Sequence, residues 1–183
     1  GELINYESIA RDVGVTIKTI QEWTSILESS GVICLLHPYE NNVTKRTVKT
    51  PKVYFMDTGL VCYLVGWTSA QVAMNGAMSG ALFENFVISE IIKTYYNSGH
   101  DCNGLYFYRD KDQHEIDLII EKDAVLYPVE IKKTSNPSLD MAKHFSVLNK
   151  ISGKSIGTGC IVCQCEKKMQ IGENIFSLPI EYI

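Results

Sequence analysis

At 183 residues, 45% hydrophobic and 21% charged, the chain has an ordinary globular composition and room for one large domain or two small ones. No apolar run is long enough to span a bilayer and no signal-peptide pattern opens the chain, so a cytoplasmic protein without membrane contact is expected. A formal charge of −4 gives no bulk attraction to nucleic acid, so any DNA contact has to come from a local basic patch.

The chain opens with helical material. "NYESIARDVGV" places Ile9 and Val13 four apart, with Gly14 as a stop. Thr16 can cap the next helix, "IKTIQEWTSILESSG", which Gly31 ends. A strand "VICLL", a polar loop "ENNVTKRTVKTPK" and a second strand "VYFM" follow. Two helices joined by a glycine turn and followed by two strands around a basic loop predict a winged-helix-like segment over 1–70. Lys45, Arg46, Lys49 and Lys52 are the densest positive stretch and the candidate phosphate contacts. A small helical bundle that merely joins parts of a larger protein fits the same pattern. Winged helices usually carry a further helix before the turn, so an excised fragment is expected. The stretch "GWTSAQVAMNGAMSG" predicts a linker, with the domain boundary near residue 70.

The second part, 71–183, reads helix, three strands, helix, strand: "GALFENFVISEIIKTYYNSG", then "LYFYR", "EIDLII" and "VLYPVEIKK", then "SLDMAKHFSVLNKI" and "CIVCQC". A hairpin in "MQIGENIFSLPI" can finish the sheet. This order predicts an α/β domain with a mixed sheet. Six cysteines (Cys34, Cys62, Cys102, Cys160, Cys163 and Cys165) are expected reduced. The run "GCIVCQC" has no second Cys or His pair at zinc-site spacing, so packing is favoured over metal there. "SGKS" is not a P-loop, because Leu148 stands where glycine is needed.

The segment "EIDLIIEKDAVLYPVEIK" predicts a hairpin centred on Asp123 and Ala124. Glu121 then faces Leu126, Ile119 faces Pro128, and Asp117 faces Glu130, with Lys132 across from Glu115. Directly opposed strand residues have Cβ atoms about 5 Å apart, where like charges are destabilising unless exposed, protonated or bridged by a cation. Hard divalent ions prefer carboxylate oxygens. On the preceding helix, Glu84 falls inside the apolar stripe of Phe83, Val87, Ile88, Ile91 and Tyr95, where an unpaired carboxylate is costly. Three carboxylates, Glu84, Asp117 and Glu130, are therefore expected to converge beside Lys132. A salt pair on a solvated face is the plainer alternative.

This set resembles the PD-(D/E)XK nuclease superfamily: an acidic residue on the first helix (Glu84), an Asp on one strand (Asp117) and (Asp/Glu)-x-Lys on the next (Glu130-Ile131-Lys132). The resemblance implies a restriction-endonuclease-like αβββαβ fold and a Mg²⁺ or Mn²⁺ site. Asp117, Glu130 and the Ile131 carbonyl would hold the metal, Glu84 would complete the site, and Lys132 would orient or deprotonate water or neutralise the transition state. Arg109 and His114, flanking the Asp strand, are candidate phosphate contacts, with plain surface roles as the favoured alternative for both. Over most of its length, through "KTPKVYFMDTGLVCYLVG", "GALFENFVISEIIK", "YFYRDKDQHEIDLII" and "VEIKK", the chain is similar to the C-terminal region of predicted AAA-superfamily ATPases of bacteria and archaea. That implies a P-loop ATPase domain as its partner in the longer protein, with ATP bound only there, and a nuclease-like domain of unassigned function; the leading expectation is metal-dependent hydrolysis of DNA under the control of that ATPase. The Gln and Tyr that some nuclease branches carry on the helix after Glu-x-Lys are absent from "SLDMAKHFSVLNKI". The rival expectation is a non-catalytic DNA- or protein-binding regulatory module.

Overall fold

The computed structural model describes residues 1–40, 48–151 and 153–183. Lys45 and Arg46, expected as phosphate contacts, lie outside the described residues. Strand β1 (Glu2–Leu3) leads into α1 (Tyr6–Val13), where Asn5 Oδ1 accepts the Ser8 amide at 2.9 Å. Gly14 ends the helix in the left-handed region at φ +77°, a conformation that costs any Cβ-bearing residue. Thr16 Oγ1 accepts the Thr19 amide at 3.1 Å and starts α2 (Ile17–Ser29). Strands β2 (Ile33–Leu36) and β3 (Lys52–Phe55) pair antiparallel, Ile33 opposite Phe55, and β1 takes the other edge of β3.

Lys52 therefore belongs to a strand and not to the basic loop. The stretch expected as a linker is also structured. After α3 (Thr58–Leu64), Ser69 caps α4 (Ala70–Asn75).

Helix α5 (Ser79–Asn97) precedes an antiparallel run of β4 (Leu105–Arg109), β5 (Glu115–Lys122) and β6 (Val125–Ile131). A 3-10 segment (Leu139–Lys150) leads to β7 (Ser155–Ile156) and β8 (Gly159–Cys163), both parallel to β6. Strands β9 (Met169–Gly172) and β10 (Ile175–Pro179) form the closing hairpin. The result is a seven-stranded mixed sheet in the order β4-β5-β6-β8-β10-β9, with β7 beside β6.

Two apolar clusters pack on this sheet. In one, Val87, Ile88, Ile91 and Ile92 of α5 meet Leu118, Val129 and Ile131, together with Leu36 and Tyr54 from the first sheet. In the other, Ala142, Phe145, Leu148 and Ile151 meet Ile116, Ile119, Leu126 and Ile161. Those four residues recur every third position, which aligns them on one side of a 3-10 helix, where residues i and i+3 eclipse. The element read as an α-helix over "SLDMAKHFSVLNKI" is thus wound more tightly, to suit that spacing. Cys163 and Cys165 are buried in the same cluster as free thiols, as packing residues would be. No described helix is long and apolar enough to cross a membrane.

The α5 helix also holds the first sheet. Asn85, buried on α5, accepts the Phe55 amide and donates to the Phe55 carbonyl, both at 2.8 Å. On the far side, Tyr39 donates its amide to Phe107 and Phe107 donates to His37, so the 37–39 backbone covers the edge of β4.

The β5–β6 hairpin turns through Asp123 and Ala124, both at positive φ (53° and 62°). A two-residue turn with both φ positive matches strand twist but strains a Cβ. Ala124→Gly is expected to raise stability by roughly 0.5–1 kcal/mol, the relief of strain less the entropy a glycine adds to the unfolded chain. Chemical denaturation checks this, and a loss of stability would mean that the alanine methyl is packed to some benefit.

Candidate metal centre

Two irregularities in the sheet build the site. Between β4 and β5, Tyr106 pairs with Ile119 but Tyr108 pairs with Ile116, so Asp117 and Leu118 together face Phe107. This β-bulge re-aims Asp117 out of simple alternation. Between β5 and β6 the ladder is regular from Lys122–Val125 to Leu118–Val129, and one further step puts Asp117 opposite Glu130, as the sequence register predicts. Pro128, opposite Ile119, then takes a position that needs no ladder amide. Past that point the strands part. The Ile131 amide donates to Asp117 Oδ2 at 2.8 Å, and the Lys132 amide donates to Val162 O at 3.0 Å. Strand β6 leaves β5 to follow β8, and the Asp117 side chain spans the gap.

Asp117 and Glu130 are each only 6% exposed. Lys132 Nζ lies 2.6 Å from Glu130 Oε1 and 3.6 Å from Asp117 Oδ2. Glu130 Oε2 is buried with no hydrogen-bond partner. Burial, and then the Asp117 charge, push the Glu130 carboxyl up to about 7 against the opposing pull of Lys132. Burial, and then the Glu84 charge, also raise Asp117. Burial pulls the Lys132 ammonium down, but Asp117 and Glu130 outweigh it and hold it above its ordinary value. One ammonium is shared by two buried carboxylates, and one oxygen is left over.

Glu84 reaches the site by a different route from the one expected. Its Oε1 accepts from Tyr54 Oη at 2.6 Å and from Lys52 Nζ at 3.2 Å. Burial raises its carboxyl, and the Lys52 charge and the hydrogen bonds from Tyr54 and Lys52 act to lower it. Lys52, expected in the loop as a phosphate contact, is 2% exposed, and its Nζ also lies 2.6 Å from Glu115 Oε1. Glu115 is therefore matched by Lys52 and by Arg109 (Nε to Oε2, 3.5 Å), not by Lys132 as the sequence register suggests, because β6 has already turned away. Arg109 also donates to Gln113 Oε1 at 2.8 Å. Ile131 is buried, and Lys49 is exposed beside Thr50 and Pro51.

The structure thus joins Asp117, Glu130 and Lys132 directly, and brings Glu84 in through Lys52 and through its charge on Asp117. Tyr54 was missed as a site residue, and Lys52 was expected as a phosphate contact and not as the partner of these carboxylates. Their only signal was alternation along "KVY", which puts both on one side of the strand.

A second group lies in the β4–β5 loop. One ligand atom each from Asp110, Asp112 and His114 falls within 4.8 Å of the others, so these residues can hold a metal ion. Asp110 Oδ1 accepts the amides of Asp112 (2.9 Å) and His114 (3.0 Å), and its Oδ2 lies 2.9 Å from His114 Nδ1. Burial raises the Asp110 carboxyl, and the bonds from His114 more than offset that and hold it low. The His144 ring sits 5.1 Å from that of His114. The acid-x-acid-x-His spacing in "DKDQH" is legible in the sequence, although His114 was expected only beside Arg109 as a phosphate contact.

Comparison with known proteins gives a family without an assigned activity. An uncharacterized protein of Mycobacterium tuberculosis and another of Mycobacterium bovis are each 26% identical over all 183 residues, and the chain spans 40% of the length of these curated relatives. No solved structure matches. Residues 1–71 match one domain of unknown function (DUF8612) and residues 79–183 match another (DUF4143). With more than half its length in the second match, the chain belongs to the family described as the domain of unknown function DUF4143.

Proposed function

We propose that this chain is a metal-dependent, nuclease-like part of a larger ATPase-like protein, acting on DNA by phosphodiester hydrolysis. On this reading its sheet is a restriction-endonuclease-like core, preceded by a winged-helix-like segment. The carrying observation is the orphaned Glu130 Oε2, buried beside Asp117. An unpaired carboxylate oxygen out of water is costly, and a divalent cation relieves it while relieving the repulsion from Asp117. The donors are hard oxygens, which suits Mg²⁺ or Mn²⁺. Asp117, Glu130 and the Ile131 carbonyl would hold the ion, which when bound polarises a phosphate oxygen. Lys132 is 43% exposed at its side chain and stands beside both carboxylates, so it would orient or deprotonate the attacking water or stabilise developing negative charge.

Domains of this family are known at the C-terminus of AAA-type ATPase-like proteins, and the relatives' extra length leaves room for such a partner domain. The α1–turn–α2–hairpin order and the exposed Lys49 support DNA contact by the first segment. The tethering of Glu84 by Lys52 and Tyr54 favours the second reading, a regulatory module that binds DNA or protein without cutting.

The deciding experiment is cleavage of plasmid and single-stranded DNA with Mn²⁺ or Mg²⁺, by wild type and by Lys132→Ala. Cleavage that Lys132→Ala lowers by a factor of 10² or more, with Mn²⁺ binding retained, supports the enzyme. DNA binding with no metal-dependent cleavage supports the regulatory module.

A further inference from the structure

We infer that Lys52 is a built-in second cation of the acidic site, delivered by the first sheet, so that the site takes one divalent ion at Asp117 and Glu130 and none at Glu84. This rests on the metal-site reading above and refines it.

Four carboxylates gather where α5, β5 and β6 meet: Glu84, Glu115, Asp117 and Glu130. Two of them are already served by one ammonium, which lies 2.6 Å from Glu115 and 3.2 Å from Glu84 at 2% exposure. The same charge also acts on Asp117. Tyr54, two residues along the strand, donates to the Glu84 oxygen that Lys52 already holds. Asn85, the next residue after Glu84, clamps the Phe55 backbone and so fixes the spacing of β3 from α5. Glu84 Oε1 is therefore occupied, held by both Lys52 and Tyr54. The buried carboxylate oxygen still without a partner among the described residues is Glu130 Oε2, on the Asp117 side. A second divalent ion near Glu84 would have to displace an ammonium already held by two carboxylates in a buried place, at the cost of stranding that ammonium. The first segment is on this account a component of the site, and Lys52 is a positioning residue that sets how many ions it holds.

The test is calorimetric titration of Mn²⁺ into wild type, Lys52→Met, Lys52→Arg, Glu84→Gln and Glu130→Gln. Ions still bound in Glu130→Gln belong elsewhere, such as the Asp110–His114 loop, and are subtracted. The expected result is one site ion in wild type and in Lys52→Arg, and two in Lys52→Met, where the vacated carboxylates recruit a metal. Glu84→Gln is expected to keep the wild-type stoichiometry with affinity within about threefold. Two ions in wild type, or one ion with unchanged affinity in Lys52→Met, would overturn the role of Lys52 while leaving the metal site standing. Should Lys52→Met fail to fold, Glu84→Gln decides: a tenfold or greater loss of Mn²⁺ affinity would make Glu84 a ligand and overturn the inference. No site ion in wild type would overturn the metal reading and this inference together.

Discussion

Glu130→Gln is expected to abolish the Mn²⁺-induced rise in melting temperature and to make the metal-free protein more stable above neutral pH. The Glu130 carboxyl titrates near 7 in the fold against an ordinary 4.5, first because it is buried and then because Asp117 stands beside it. The folded state therefore holds its proton more tightly than the unfolded chain does. That contribution favours folding at low pH and is lost as pH rises from about 4.5 through about 7. The loss amounts to about 3 kcal/mol by pH 8, at 1.36 kcal/mol per pH unit. Melting of the wild type in chelator should fall by roughly 6–12 °C across that window through this group alone, whereas the Gln variant loses this component. Asp117, also raised by burial and by Glu84, adds a slope of the same sign that the variant retains. Mn²⁺ should restore wild type at pH 8 and leave the variant where it was. Parallel pH profiles for the two proteins would show that Glu130 is ionised without strain and that the orphaned oxygen has another explanation.

Asn85→Ala should be among the most destabilising polar substitutions in the chain. The Asn85 amide group satisfies both backbone polar groups of Phe55, and the residue is 6% exposed. Truncation strands a donor and an acceptor near the junction of α5 and β3, each costing about 1–3 kcal/mol, so a total of about 2–6 kcal/mol is expected. Urea unfolding measures the sum, and hydrogen exchange at the Phe55 amide reports its place. Because the same clamp spaces Lys52 from Glu84, the Glu84–Lys52 pair should loosen with it. A change under 0.5 kcal/mol would mean that water replaces the amide and that β3 is held by its strand partners alone.

The hairpin carrying Asp117 and Glu130 was legible because its constraints are local. A turn centred on Asp123 and Ala124 leaves one register whether the loop holds two residues or four, Pro128 fits where no ladder amide is needed, and the ladder follows that register from Lys122–Val125 to Leu118–Val129. The caps at Gly14 and Thr16 were legible for the same reason. So was Glu84, since a carboxylate within an apolar helical stripe announces that something must meet it. The three-residue spacing of Ala142, Phe145, Leu148 and Ile151 was equally present, but an α period also tolerates i, i+3 contacts, and the tighter winding did not declare itself.

Lys52 shows where local reading ends. Among Lys45, Arg46 and Lys49 it looks like one more loop charge, and nothing within ten residues marks it as buried. Its burial comes from Glu84, 32 residues away, and from Glu115, further still along the chain. The bulge at Asp117 and the parting of β6 from β5 likewise depend on where β4 and β8 sit, and both are paired across loops whose geometry the local pattern does not encode. Periodicity and backbone sterics act within a few residues, so the amino-acid order alone settled α1, α2 and α5, the hairpin register and the trio Glu84, Asp117 and Glu130. Desolvation and charge pairing act on whatever the assembled layers bring within a few ångströms. Only packing could therefore decide that Glu84 is served by Lys52 and Tyr54 while Glu130 is left with an oxygen to give.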